Sequence, residues 1–190
     1  MPSMQGPSDP LPDESRELLP VQLRRLLPAR DSAGLVLDAG GKFFLIMIGP
    51  AEAAAVMREL STAKPERPLT HDLIGYILTG FDITVESVVI SSMVNGAFCA
   101  TLTLQRKQGE MSERVRFDVR ASDAIVLAIK HSVHMQVTRL VLNQVEDISK
   151  MIKEVDQHLA ADAGGEPSDD PAEPGAGPDT DTRPPSTPLL

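Results

Sequence analysis

The sequence predicts an α+β fold: a sheet of antiparallel or mixed β-hairpins with three to four helices, all in a single domain. Three observations predict it. Short apolar runs rich in strand formers are separated by Gly-containing turns. Helical segments with start and stop signals fall singly between these runs, not in the regular strand–helix alternation of a doubly wound sheet. The chain has 190 residues with 42% hydrophobic side chains, enough for one buried core and flexible ends.

The elements follow in order. Gly34 to Asp38 is a short apolar run, Ala39-Gly40-Gly41 a turn, and Lys42 to Ile48 (KFFLIMI) a second run, together a β-hairpin. Gly49-Pro50 opens a helix that continues through Ala53 to Leu60, with Pro in its first turn and Glu52 near the positive end of its dipole. Lys64 to Pro68 is a stiff loop. Thr70 is placed to cap a second helix, with Asp72 in its first turn, Leu73, Ile74, Ile77 and Leu78 on its apolar face, and Gly80 at its end. Residues 83–94, 97–105 and 113–120 read as strands, the first two joined by Asn95-Gly96, the strongest hairpin signal in the chain. Ser122 is placed to cap a third helix, Asp123 to Lys130, apolar nearly all round and therefore buried. Val137 to Leu142 reads as a short strand and 144–159 as an amphipathic helix. The spread-out methionines, Met47, Met57, Met93, Met111, Met135 and Met151, read mostly as core filling.

Three segments result: a loose N-terminus over 1–13, a domain over 14–160, and an acidic Pro/Gly-rich tail over 161–190 that has too few apolar side chains to offset the entropy of ordering. The formal charge of −9 is uneven. The tail carries seven acids against one arginine, and the other 160 residues carry twenty acids against seventeen Lys or Arg. The domain is thus close to neutral, and any basic face for nucleic acid must be local. Aromatics are 3% with no Trp, which argues against a surface built on base stacking. The one cysteine, Cys99, excludes an internal disulfide and a Cys-rich zinc site and reads as a buried strand thiol. With no leader-like segment it predicts a cytoplasmic location. No apolar run approaches the roughly 18 residues of a membrane span, so no membrane association is expected.

The strand Glu113 to Arg120 carries the most chemistry. Period-two alternation puts Val115, Phe117 and Val119 on one face and Arg114, Arg116, Asp118 and Arg120 on the other. Ala121-Ser122-Asp123 then turns the chain into a helix start. Asp118, Asp123, Arg120 and free backbone N–H groups can meet at this corner, an inventory that suits phosphodiester hydrolysis: paired carboxylates hold Mg2+ or Mn2+, and Arg grips phosphate bidentately. The structural alternative is that the charges pair with one another while Ser122 and Asp123 serve the helix end. The loop Pro65 to Asp72 offers Arg67, His71 as base or metal ligand, and Asp72 as orienter; the alternative is that Thr70 and Asp72 cap the helix. His131 and His134 flank the end of the apolar helix, where a cation suits the dipole and a structural role is expected. His158 reads as solvated.

Several segments, in order, resemble the bifunctional nuclease domain family. They are Ile48-Gly49 followed by Glu52-Ala53; RPLTHDL at 67–73; Asn95-Gly96-Ala97-Phe98 followed by Ala100 and Leu102; and DVRASDAI at 118–125 followed by Leu127-Ala128. The likeness spans roughly residues 35–148. It departs from the family pattern at Ala121, where Pro is usual, at Cys99, where an aromatic is usual, and at 130–135, where KHSVHM replaces a more apolar segment. The resemblance implies a metal-assisted nuclease acting on phosphodiester bonds of DNA, RNA or both, with nucleic acid as partner and Mg2+ or Mn2+ as cofactor. The polar matches are Glu52, Arg67, Thr70, His71, Asp72, Asp118, Arg120, Ser122 and Asp123. From these, His71, Asp72, Asp118 and Asp123 are the candidate catalytic residues and Arg67, Arg120 and Ser122 the candidate substrate-binding residues. The competing reading is a non-catalytic oligomeric binding or regulatory module, in which the same residues cap helices, form ion pairs or pack between subunits. Self-association is expected from the near-neutral domain and the apolar hairpin at 42–48.

The composition of the tail yields a first prediction. Removing residues 161–190 leaves the thermal melt of the domain unchanged. A melting temperature lowered by several degrees would contradict this.

Overall fold

The computed structural model of the protein describes residues 17–61, 66–109 and 111–163. The expected loose N-terminus over 1–13 and the acidic tail, beyond the three residues that close the last helix, lie outside these residues.

The expected α+β class holds. Seven strands form one mixed sheet in the order β3-β2-β1-β7-β4-β5-β6. They are β1 (Leu18–Pro28), β2 (Ala33–Ala39), β3 (Lys42–Ile48), β4 (Ile83–Val94), β5 (Ala97–Gln108), β6 (Met111–Arg120) and β7 (Met135–Thr138). All neighbours are antiparallel except β4 and β7, which pair parallel through Val88–Met135 to Ile90–Val137. The helices are α1 (Pro50–Leu60), α2 (Thr70–Gly80), α3 (Ala121–Lys130), the short α4 (Arg139–Gln144) and α5 (Ser149–Ala163).

The local signals act as their chemistry dictates. Asn95 and Gly96 both take positive φ, 51° and 79°, so the two-residue turn has the twist that lets β4 and β5 pair directly. Pro50 starts α1, where its missing N–H costs nothing. In α3, Ala121, Ser122 and every residue from Ala124 to Ala128 are buried, because the helix packs on β4 and β5 beneath α1 and α2. That position explains its lack of a polar face: it is enclosed on both sides.

Several expectations need correction. Ser122 does not cap α3; the helix begins at Ala121 with Arg120 in the cap position, and Ser122 is buried inside the first turn. Thr70 is the first helical residue of α2, not its cap. The strand expected over 137–142 is β7 ending at Thr138, whose hydroxyl accepts from the Val141 N–H and starts α4. The strands expected at 97–105 and 113–120 extend into one hairpin paired to Gln108–Met111, since Arg106 and Lys107 lie on a ladder that is open to water. β1 was not anticipated. Pro20 and the adjacent Arg24 and Arg25 interrupt its alternation, and the strand absorbs the irregularity as a shift between Leu23 and Arg25. Of the methionines, Met135 is buried, whereas Met47, Met57, Met111 and Met151 are exposed. Cys99 is half-buried.

The two sheet edges differ. At β3, the Ile148 N–H donates to Phe43 O at 2.9 Å and the Phe43 N–H donates to Ser149 Oγ at 3.2 Å, so the start of α5 covers the edge. β6 has no such cover among the described residues, and nearly all of it is exposed. Its alternating charges discourage open-ended strand addition.

An ion trio ties the helical layer together. Lys130, at the end of α3, bonds Asp72 of α2 and Glu59 of α1, the latter at 3.1 Å. Burial works against the charge on Lys130, but its bonds to Asp72 and Glu59 raise its pKa above the ordinary value. The Lys130 bond, together with the Leu69 N–H, holds the Asp72 carboxyl below the ordinary 3.8. His131, next in the chain, sits against Gly75. Burial, with Lys130 beside it, lowers its pKa and favours the neutral ring, the reverse of the cation expected at this helix end. Its Nε2 has no hydrogen-bond partner among the described residues.

A pH prediction follows from this trio. Folding depresses the Asp72 pKa, so its stabilisation is complete above 3.8 and is lost as pH falls through the folded value. Thermal melts should therefore fall as the solution is acidified through this range, and the Lys130→Met variant should show a shallower fall. Equal acid dependence in the two proteins would contradict it.

Candidate functional site

Three helix starts meet where β6 ends, and each contributes a polar side chain from its first turn. Glu52 comes from α1, His71 from α2 and Asp123 from α3. Arg120, the last residue of β6, stands between them. Each start leaves backbone N–H groups unpaired and presents the positive end of a dipole, so the locale favours negative charge.

Arg120 fixes the arrangement. Its Nε donates to Asp123 Oδ2 at 2.8 Å and its Nη2 to Asp123 Oδ1 at 3.1 Å, a two-pronged bond. Its Nη1 donates to Glu52 Oε1 at 2.8 Å. The bonds to Asp123, then those to Glu52, raise the Arg120 pKa above its ordinary value. The guanidinium has five N–H groups, so two remain beyond these three bonds, and the side chain is 66% exposed. Gly49 makes room for the Glu52 end of this bridge: a Cβ there would lie 2.6 Å from Glu52 Oε2. Any larger residue would push the carboxylate aside.

His71 completes the group, with Nε2 3.4 Å from Asp123 Oδ1. Its side chain is 18% exposed, less than that of Asp123 at 32%, so the imidazole is held on one side and open on the other. The four side chains border a solvent-open cleft of about 780 Å³. Its floor is apolar: Ile74, Leu102, Leu104, Phe117 and Leu127.

The remaining sequence candidates do not join this group. Asp72 holds the start of α2, accepting from the Leu69 N–H at 2.8 Å, and pairs with Lys130, which does not border the cleft. Asp118 borders the cleft from the edge strand. Its cross-strand partner is Thr101, however, whereas Phe117 faces Leu102, so the Asp118 side chain shares the sheet face opposite to the apolar floor. Ser122 lines a smaller neighbouring cleft with Gly49 and Phe98. Arg67 is exposed and does not line the cleft. The described residues thus bring His71, Asp123 and Arg120 together and leave Arg67, Asp72 and Ser122 outside the group.

Arg58 is a cleft residue that sequence reasoning missed. The signal was available: Ala51, Ala55 and Arg58 recur at i, i+4 and i+7, one face of α1, and all three line the cleft. Arg58 makes no ion pair with another described residue.

Among the described residues no three His, Cys, Asp or Glu side chains stand together as a metal-binding group. Both Asp123 oxygens accept from Arg120, and Oδ1 also faces His71 Nε2.

The bifunctional nuclease domain matches residues 35–149 of the chain, a span that contains every member of the cleft group. Uncharacterized proteins from two strains of Mycobacterium tuberculosis are 32% identical over 129 residues, covering 67% of this chain and 74% of each relative. Bifunctional nuclease 2 of Oryza sativa subsp. japonica is 29% identical over 106 residues, 55% of this chain but 32% of the plant protein. On this match the chain belongs to the bifunctional nuclease domain family.

Proposed function

We propose that the cleft binds and hydrolyses phosphodiester bonds of DNA or RNA. The observation that carries this is the contact of His71 with Asp123, itself gripped by Arg120, at the mouth of an open cleft. Asp123 orients the imidazole, and His71 takes the proton of an attacking water as its oxygen bonds to phosphorus. The P–O bond on the far side breaks, and the leaving oxygen takes a proton from solvent. Arg58 and the two spare N–H groups of Arg120 hold the phosphate oxygens, helped by the three helix starts. The matched domain and the name of the plant relative support the reading.

The same geometry favours a modest grip on polyanions. Two arginines face the cleft beside the carboxylates of Glu52 and Asp123. Binding should be weakly salt-dependent, with a slope of log K on log salt no steeper than about −1.5 for a single strand.

A second reading, a non-catalytic binding module, is favoured by the apolar floor and by the neutralisation of Arg120 by two acids. One set of experiments separates the two. Labelled single-stranded DNA and RNA are incubated with purified protein, with and without Mg2+ or Mn2+, beside His71→Gln and Arg58→Ala. The nuclease reading expects turnover that falls about 100-fold or more in His71→Gln with the fold intact, and a raised KM in Arg58→Ala. Binding without cleavage under every condition supports the module. Neither binding nor cleavage overturns both.

None of the helices among the described residues is long and apolar enough to cross a membrane. A cytoplasmic location is proposed from the lone half-buried cysteine.

A further inference from the structure

The cleft that carries the proposed chemistry has a neighbour. Arg120 and Glu52 border both it and a smaller cleft of about 300 Å³, so their 2.8 Å ion pair is a wall common to the two. Apart from that pair, the smaller cleft is lined by uncharged residues, drawn mainly from β3 and the β4–β5 turn. Phe98 is the one aromatic ring in the lining. It is half-buried, and the fully buried Phe44 stands behind it with ring centroids 6.3 Å apart, so the core holds the ring in place. Met47, also in the lining, is 56% exposed, and Gly96 and Ala97 at the turn are small and exposed, which leaves the rim open.

We infer that the smaller cleft is the subsite for one nucleoside of the substrate strand, the one attached to the phosphate that Arg120 holds, with its base against Phe98 and Met47. The inference rests on the nuclease reading of the larger cleft and names what lies beside the bond that is cut. Continuity is the first argument: a nucleoside joined to a phosphate on Arg120 has the smaller cleft next to it. Charge is the second. The only charged side chains in the lining are paired with each other, so the cleft offers no free cation to a further phosphate and suits a flat, uncharged group. Size is the third: about 300 Å³ is the lower end of the range for ligand cavities, room for one nucleoside and not two. The scarcity of aromatics argues against a stacking surface, but one base needs only one fixed ring. Every base has a π-face, so the subsite tolerates all of them.

Two single-stranded hexanucleotides test the inference, one complete and one with the same backbone but no bases, in whichever of the DNA or RNA forms the wild-type protein accepts. Dissociation constants by fluorescence anisotropy and kcat/KM for cleavage are measured for the full chain and for Phe98→Leu, which keeps an apolar side chain against Phe44. Wild type should favour the complete strand about tenfold or more. Phe98→Leu should lose most of that preference on the complete strand, handle the abasic strand as wild type does, and keep the wild-type melt. If it melts early, Met47→Ala, at an exposed position, decides by the same pattern on a smaller scale. A preference for bases that the deciding variant does not reduce overturns the inference. So does a loss equal for both strands, or equal handling of the two strands by wild type; cleavage seen in these cases leaves the nuclease reading standing. Absence of binding and cleavage with either strand overturns both. Binding without cleavage that keeps the Phe98-dependent preference removes the nuclease reading and supports the base subsite.

Discussion

The guanidinium of Arg120 is the joint of the molecule's polar side. It sits on the last residue of a strand, bonds both oxygens of a carboxylate in the helix that follows, and reaches Glu52 across to another helix. The arrangement requires three elements to end or begin at one point. The β5–β6 hairpin must bring Arg120 opposite Cys99, α3 must start without a spacer, and Gly49 must leave the Glu52 carboxylate room to turn inward. Because Arg120 is largely exposed, its ion pairs contribute little to global stability, typically below about 1 kcal/mol. Their effect is positional: they hold Asp123 where His71 can touch it.

Beneath this joint the packing is ordinary and does the stabilising. Residues 124–128 of α3 are buried, and the Lys130 trio closes the far end of the helical layer. The two charged clusters divide the labour by their place on α3. The one at its first turn faces an open cleft, and the one at its last turn is satisfied internally. This explains why adjacent residues of α2 differ in role: His71 turns toward Asp123 and Asp72 toward Lys130.

Much of the frame was legible in the residues. Asn95-Gly96, Gly49-Pro50 and the all-apolar 124–129 run each have one physical solution, and the chain adopts it. The corner at Arg120 and Asp123 was legible for the same reason, since a strand period running straight into a helix start leaves few directions for its last side chains. Three things were not. β1 hides its alternation behind Pro20 and a register shift that depends on its neighbours. Alternation puts Asp118 on the face opposite Phe117, in agreement with its pairing to Thr101, but it does not say which of the two faces floors the cleft. In α2 the residues read as one apolar face, Leu73, Ile74, Ile77 and Leu78, split between two: Leu78 is buried, while Leu73 and Ile77 point outward. Periodicity reports that a helix has an apolar stripe; it does not say whether the chain itself or another molecule covers it.

Asp123 serves the proposed chemistry only if it acts on the cleft and not on the scaffold. The most direct measurement is the Asp123→Asn variant, nearly identical in shape, compared with wild type for both thermal melting and phosphodiester turnover. The melting temperature should barely move, with turnover reduced about 100-fold or more as His71 loses its anionic partner. A variant that melts many degrees lower, yet turns over substrate at the wild-type rate per folded molecule, would contradict it.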